Sequence, residues 1–485
     1  MEIYEDEARP SKGMDKNDQD NIVVWNESKN EVCSIYRPVN GWATLPDIVL
    51  EDVFELLEFR ERYYCSRVCK NWYIIFFSPR IWRTLEITET TFTYLKHNIF
   101  GYELLLSHER VQLYLTRVGE YTKRIVVHPT FNFHNLYEFY TILAAFLEFF
   151  EEYPMPHLEI FEFTFACESR IPVVGPVVLG TGGQFLEKLT HLFGVMKNLK
   201  RLVLKYLLLE STDVPGVLEQ VVKNCSTSLL YFELRDFSKE KCPLFQVGMM
   251  HGLRKLVITP HNVTDDVLLM LANNTSLEEL VFIQDKYTIE SEPVSSKTWK
   301  VVRSIMPWLK VRLQVSGLTR SKVLLQERAP VWCIMHETPY ASISTPEMHR
   351  IIDNYRNTLR VYGHLMLPRT HGARTFHCRA DSGLVALVRH CPHITKLYIR
   401  ERISTATLLI IATEGKSLKE LYVRRNAVIL KSDWPKPIHW EQWRYDWLCK
   451  TARSYQMVEQ AVSAMLKQKW SMLPDAQFKQ LRVNF

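Results

Sequence analysis

The sequence predicts an α/β protein, a small bundle of three helices followed by a solenoid in which each repeat adds one short strand and one helix. Three observations predict it. From Leu45 to Leu85 apolar residues recur densely at helical spacing, with prolines only near the edges of the segment. Beyond it, a pattern of apolar residue, two others, apolar, one other, apolar occurs seven times. The pattern starts at 229, 253 and 277 are 24 residues apart, as are those at 394 and 418.

The pattern occurs as Leu158-Phe161-Phe163, Leu199-Leu202-Leu204, Leu229-Phe232-Leu234 and Leu253-Leu256-Ile258, then as Leu277-Leu280-Phe282, Ile394-Leu397-Ile399 and Leu418-Leu421-Val423. In a strand, side chains alternate between faces, so the last two apolar positions point inward together. Helix-like runs, such as Val214 to Val222, Thr264 to Leu271 and Ser404 to Ile411, return the chain. One such unit cannot bury its own apolar face, so units must stack. The period resembles that of leucine-rich repeats. Leu309 to Val315 and Trp332 to Ile334 are expected to be degenerate strands of the same series.

Four regions follow. Residues 1–41 carry nine acidic and five basic residues with few apolar anchors, so they are expected to be disordered. Residues 42–85 form the helical segment, 86–430 the repeats, and 431–485 a Trp-rich end. Trp434, Trp440, Trp443 and Trp447 crowd the start of that end. A terminal cap over the open solenoid is expected there, with a Trp-lined partner site as the alternative.

The helical segment reads LPDIVLEDVFELLEFRERYYCSRVCKNWYIIFFSPRIW. Pro46 suits a first helical turn. Val49, Val53 and Leu57 share one face, and Leu50, Phe54 and Leu57 share another. Cys65, Val68, Cys69 and Trp72 add a further apolar face. Some forty residues cannot bury all of these alone, so a partner surface is expected. The segment resembles the F-box. Leu45-Pro46, Val53-Phe54, Leu57, Val68-Cys69-Lys70, Trp72, Pro79 and Ile81-Trp82 stand at that family's spacings, while Arg62 and Tyr63 stand where leucine-like residues are common. The resemblance implies binding to a Skp-type adaptor, and through it to a cullin scaffold with a RING subunit. Its implied contacts are Leu45, Pro46, Ile48, Val53, Phe54, Leu57, Val68, Cys69, Trp72 and Trp82. It also implies a chain that performs no chemistry and needs no cofactor: a substrate receptor of a ubiquitin ligase, or a scaffold that binds the adaptor for a non-degradative purpose. The stretches LKVRLQV and KVLLQERAP resemble the F-box only protein 39 subfamily.

Other function classes find little support. Sixty basic against 54 acidic residues give a net charge of +6, too mild and too scattered for a nucleic-acid binder. The start of the chain is acidic and polar, unlike a secretory signal. The longest apolar run, Phe139 to Phe150, falls short of the roughly twenty residues a membrane span needs. Ten cysteines without a C-x-x-C pair fit reduced thiols in the cytosol or nucleus. His377, Cys378, His390, Cys391 and His393 lack zinc-site spacing. Gly180-Thr181-Gly182-Gly183 lacks the Gly-Lys-Ser/Thr ending of a phosphate loop and is expected to be a turn.

Substrate is expected on the strand face opposite the helices, with a merely solvated strand face and a substrate held by the loops or the Trp-rich end as the alternative. Its candidates are Arg201, Val203 and Lys205; Tyr231, Glu233 and Arg235; Lys255, Val257 and Thr259; Lys396, Tyr398 and Arg400; and Glu420, Tyr422 and Arg424. Seven basic residues against two glutamates, with three tyrosines, suggest an acidic or phosphorylated segment as partner.

Overall fold

The structure, a computed structural model, describes residues 41–99, 101–168, 177–369, 375–436, 438 and 440–482. The expected disorder of 1–41 lies, but for Gly41, outside the described residues. The chain divides into two compact units, residues 1–46 and 47–485. In the first, Trp42–Thr44 form a 3-10 turn in which the Thr44 amide and hydroxyl both donate to the Gly41 carbonyl at 3.0 Å.

Three helices open the second unit: α1 (Asp47–Leu56), α2 (Phe59–Ser66) and α3 (Lys70–Phe76). Leu50 and Phe54, one turn apart on α1, are buried, and the Phe54 ring meets the edge of buried Trp72 on α3 at 5.7 Å. Glu58 and Glu61 form a capping box that starts α2, satisfying amides that have no partner within the helix. Arg80 pairs with Asp52 at 2.5 Å and Glu55 at 3.0 Å, tying the segment after α3 back to α1.

The chain then forms β1 (Thr84–Ile87) and an antiparallel hairpin of β2 (Thr93–Asn98) and β3 (Gly101–Leu106). Alternation follows: α4 (His108–Val118), β4 (Arg124–Val127), α5 (Phe133–Phe149), β5 (Ile160–Thr164), α6 (Gly183–Val195), β6 (Arg201–Lys205), α7 (Val214–Cys225) and β7 (Tyr231–Arg235). It continues through β8 (Lys255–Ile258), α8 (Asp265–Leu271), β9 (Glu279–Gln284), α9 (Ser296–Ile305), β10 (Lys310–Ser316), β11 (Val331–Glu337), α10 (Thr345–Tyr355), β12 (Val361–His364), α11 (Asp381–His390) and β13 (Lys396–Ile399). Last come β14 (Ile403–Ser404), α12 (Thr405–Glu414), β15 (Glu420–Val423), β16 (Val428–Ile429), α13 (Gln442–Thr451), α14 (Tyr455–Leu466) and α15 (Asp475–Gln480).

Twelve of these strands make one parallel sheet in strict chain order, from β1 through β4–β13 to β15. This is the α/β solenoid expected from the repeats. All seven patterned segments are strands of it, and their apolar pairs stack in register, Leu202 on Phe232 and Leu204 on Leu234. The two degenerate segments are β10 and β11. The sequence pattern did not mark β1, β4, β12 or the hairpin. No helix of the described residues is long and apolar enough to cross a membrane.

Trp82 joins the helical segment to the repeats. It is buried, donates its indole N–H to the Phe76 carbonyl at 2.5 Å, and packs edge-on against Phe59, Phe76 and Tyr114 of α4. Phe92 and Phe139 extend this aromatic cluster into the first repeats. The three helices and the solenoid therefore belong to one packed body.

The carboxyl end covers the last repeat. The Leu473 amide donates to the Val423 carbonyl at 2.8 Å, occupying the end of the final strand. Trp470 donates to the Leu421 carbonyl at 2.6 Å, and Trp434 to the Thr407 hydroxyl at 2.8 Å. Buried Arg379 bridges Asp381 and Asp433. Trp440 is buried, Trp447 half-buried and Trp443 exposed.

Buried titratable groups within the repeats tie stability to pH. His261 donates Nε2–H to the Ser238 carbonyl at 3.3 Å, and burial pulls its pKa from 6.5 down to about 4. A folded pKa below the unfolded one gives stability that is complete above pH 6.5 and lost as pH falls towards 4. Asp236, pushed up to about 7 by burial, titrates in the opposite sense, so the test is a difference. His261→Gln is expected to gain stability relative to the unmodified chain between about pH 7 and 5, measured by urea unfolding at each pH. A difference constant over that range would contradict the assignment.

Candidate protein-interaction site

The apolar residues of α1–α3 divide into two sets. Phe54, Trp72 and Trp82, expected to touch an adaptor, are instead buried within the unit. Their rings are consumed in packing the helices together and onto α4, so they support the surface without being part of it. Val53, Leu57 and Cys69 are half-buried. Ile48 and Val68 are open, 67% and 62% exposed. Leu56 at 87%, Tyr73 at 56% and Ile74 at 66% are exposed too, and the sequence pattern does not single them out. Leu45 and Pro46 belong to the first unit, where Leu45 leaves the turn in extended conformation.

Apolar side chains this open on three short helices are far more than a finished surface needs. Arg62 shows how the helices are held in place. Its guanidinium donates to the Ile81 carbonyl at 2.8 Å and the Leu57 carbonyl at 3.0 Å, and lies over the Trp82 ring at 5.3 Å. An arginine where a leucine-like residue is common thus staples the end of α1 to the segment after α3.

The strand face is a ladder of ion pairs. Arg201 pairs with Glu162 at 3.1 Å and covers the Tyr231 ring at 3.7 Å. Tyr231 donates to Glu233 at 2.8 Å. Glu233 also holds Arg235 at 2.9 Å and Lys205 at 3.7 Å. Burial alone would raise the Glu233 pKa, but these cations hold it below its ordinary value. Lys255 and Arg312 share Glu279, at 2.6 and 2.5 Å, and Lys396 pairs with Glu420 at 3.0 Å. Val203 and Val257 are buried among these longer side chains, and Thr259 is fully buried. The expected basic excess is therefore largely neutralised. Glu162 on β5 and Glu279 on β9, strands that contribute none of the candidates, supply much of the balance.

Three further candidates are structural. Arg400 has no exposed surface; its guanidinium donates to the carbonyls of Thr338 at 2.6 Å, Leu365 at 2.8 Å, Met366 at 3.1 Å and Ala341, and to Glu401 at 3.0 Å. It follows the last residue of β13, where strand alternation has ended and the chain turns inward. Tyr398 is buried and stacks on Tyr422 at 4.7 Å, in space left by Gly363, where a Cβ would lie 2.5 Å from that of Tyr398. Arg424 makes a two-pronged pair with Asp475 of α15, both hydrogen bonds 2.8 Å. These residues fasten loops and cap and are not free to receive a substrate.

Elsewhere, no group of three His, Cys, Asp or Glu side chains among the described residues is placed to hold a metal. Cys391 is buried, and burial pushes its thiol up to about 12. The expected turn at Gly180-Thr181-Gly182-Gly183 is instead an extended approach to helix α6: Gly182 is extended, the Thr181 amide donates to the Leu207 carbonyl at 2.8 Å, and the Leu208 carbonyl lies 2.5 Å from where a Gly180 Cβ would be.

An exposed apolar helical surface welded to a parallel solenoid defines a class: a docking module that presents a repeat scaffold. Residues 42–88 match the F-box-like family. The chain is 21% identical over 446 residues to mouse (Mus musculus) F-box/LRR-repeat protein 21, covering 86% of this chain and 92% of that protein. Among solved structures, a chain of the Drosophila Toll–Spatzle complex is 14% identical, covering 72% of this chain and 43% of that one at a TM-score of 0.29. An internalin of Listeria monocytogenes is 11% identical, covering 67% and 85% at 0.26. Both of these structural likenesses are weak. The helical match and the twelve-stranded solenoid give this chain an F-box-like segment followed by parallel strand-and-helix repeats, and its likeness to the mouse F-box/LRR-repeat protein runs over most of both chains. The likeness to the F-box only protein 39 subfamily rests on its two sequence stretches alone.

Proposed function

We propose that the chain is the substrate-recognition subunit of a Skp–cullin–F-box ubiquitin ligase, acting in the cytosol or nucleus. The observation that carries this reading is the exposed apolar surface of α1–α3, built on a buried aromatic core that continues into the first repeat. The Skp-type adaptor covers that surface and links the chain to the cullin and its RING subunit. The chain contributes no catalytic group. It raises the effective concentration of a bound protein near the charged ubiquitin-conjugating enzyme, and the packed joint at Trp82 fixes the direction in which the substrate is held. The nine described free cysteines fit a reducing compartment.

Affinity purification from cells with cullin activation blocked tests the proposal. Adaptor and cullin are expected to co-purify, with proteins that accumulate on the chain only under the block and whose ubiquitination falls when the chain is removed. Recovery of the adaptor without cullin, and of the same partners with and without the block, would favour the non-degradative scaffold.

A further inference from the structure

At the carboxyl ends of β10, β11, β12, β13 and β15, the exit loops of neighbouring strands surround a cavity of about 410 Å³. Five arginines line it, Arg320, Arg369, Arg400, Arg402 and Arg424, against a single carboxylate, Glu401. That carboxylate is already engaged by Arg400 at 3.0 Å and His364 at 3.1 Å. Arg424 is held by Asp475. Arg320 and Arg369 differ: among the described residues neither has a carboxylate partner, and both guanidinium groups lie over the Tyr340 ring, 5.2 and 5.1 Å from its centroid.

The arrangement is built and held. Buried Arg400 donates to the carbonyls of Thr338, Ala341, Leu365 and Met366, fixing the two loops that carry Tyr340 and Arg369. Stacking on one ring restricts both arginine forks, so less entropy is lost when they close on an anion. Planar guanidinium groups in pairs match the geometry of a phosphate better than that of any neutral ligand. A cavity of this size suits one phosphorylated side chain with its flanking backbone. It opens on the loop edge of the solenoid, clear of the neutralised strand face.

We propose that this pocket is a phosphate-binding site, formed chiefly by Arg320 and Arg369, that takes a phosphoserine or phosphothreonine of the protein bound for ubiquitination. The inference rests on the receptor reading for the origin of that phosphate; the pocket itself does not depend on it.

The test uses the full chain purified with its adaptor. A degenerate phosphoserine/phosphothreonine peptide library and its unphosphorylated counterpart are bound to it, with inorganic pyrophosphate as competitor. Phosphorylated peptides are expected to be retained selectively and displaced by pyrophosphate. Arg320→Gln with Arg369→Gln should weaken their binding by about a hundredfold, roughly tenfold for each charge-assisted arginine–phosphate pairing removed. Arg320→Lys with Arg369→Lys, which keeps the charge and removes the fork, should fall between. Both arginines are exposed, so melting temperature and adaptor co-elution should be unchanged, and adaptor co-elution reports on the receptor reading separately. Equal retention of both libraries, or undiminished binding by the Gln variant, would overturn the site. Pyrophosphate binding that requires the two arginines, without selection of any phosphopeptide, would overturn the substrate assignment and leave a soluble phosphate as the ligand.

Discussion

Replacing Ile48 and Ile74 together by aspartate is expected to abolish adaptor binding while the protein stays folded. Both side chains are about two-thirds exposed, 67% and 66%, so the free chain loses almost no packing, and surface changes of this kind usually move stability by about 0.5 kcal/mol or less. In the complex the two positions are desolvated. Each then buries a carboxylate without a partner, at a cost of several kcal/mol, and the affinity should fall on the order of a thousandfold or more. The contrasting variant is Phe54→Ala, which removes a buried ring and should destabilise the fold by about 3–5 kcal/mol. Calorimetric titration with purified adaptor, beside thermal unfolding, separates the two effects. Normal binding by the double aspartate variant would move the adaptor surface off α1 and α3.

The second large effect concerns Arg400. Arg400→Glu places a carboxylate against four backbone carbonyls and Glu401, all of which the guanidinium now satisfies. Leaving a buried charge facing acceptors is among the few single changes that cost about 4 kcal/mol or more. The repeats from β11 to β15 are expected to lose protection from hydrogen exchange, while α1–α3 and β4–β8 keep theirs. A variant with native exchange throughout would show that Arg400 does not hold the loops together.

These two expectations mark where sequence and structure part. The repeat was legible because period-2 alternation and a 24-residue spacing are imposed directly by stacking, and all seven patterned strands are present. β12 was hidden because Gly363 and His364 interrupt its apolar run. The exposed apolar surface of α1–α3 was legible as a segment but not as a face. Helix α1 is apolar on nearly every side, with Ile48, Val49, Leu50, Val53, Phe54 and Leu56, and Leu57 follows it, so spacing alone does not say which side the core takes. The charge balance and exposure of the strand face were misread for two physical reasons. Charge pairing runs between neighbouring repeats, as in Lys255 with Glu279, and is invisible when each strand is considered alone. Alternation also ends where the strand ends, so Thr259 and Arg400, one residue beyond, turn inward. The pocket of Arg320 and Arg369 left no local pattern, because its residues come from the exits of five strands.

The central claim, that the helical segment is an adaptor-docking surface rigidly joined to the repeats, is tested most directly by mixing the purified full chain with purified Skp-type adaptor and measuring the mass of the product by light scattering on a sizing column. A single one-to-one complex, lost in the double aspartate variant and retained in Arg320→Gln/Arg369→Gln, is the predicted result. Elution of the folded chain and the adaptor as separate species would contradict it.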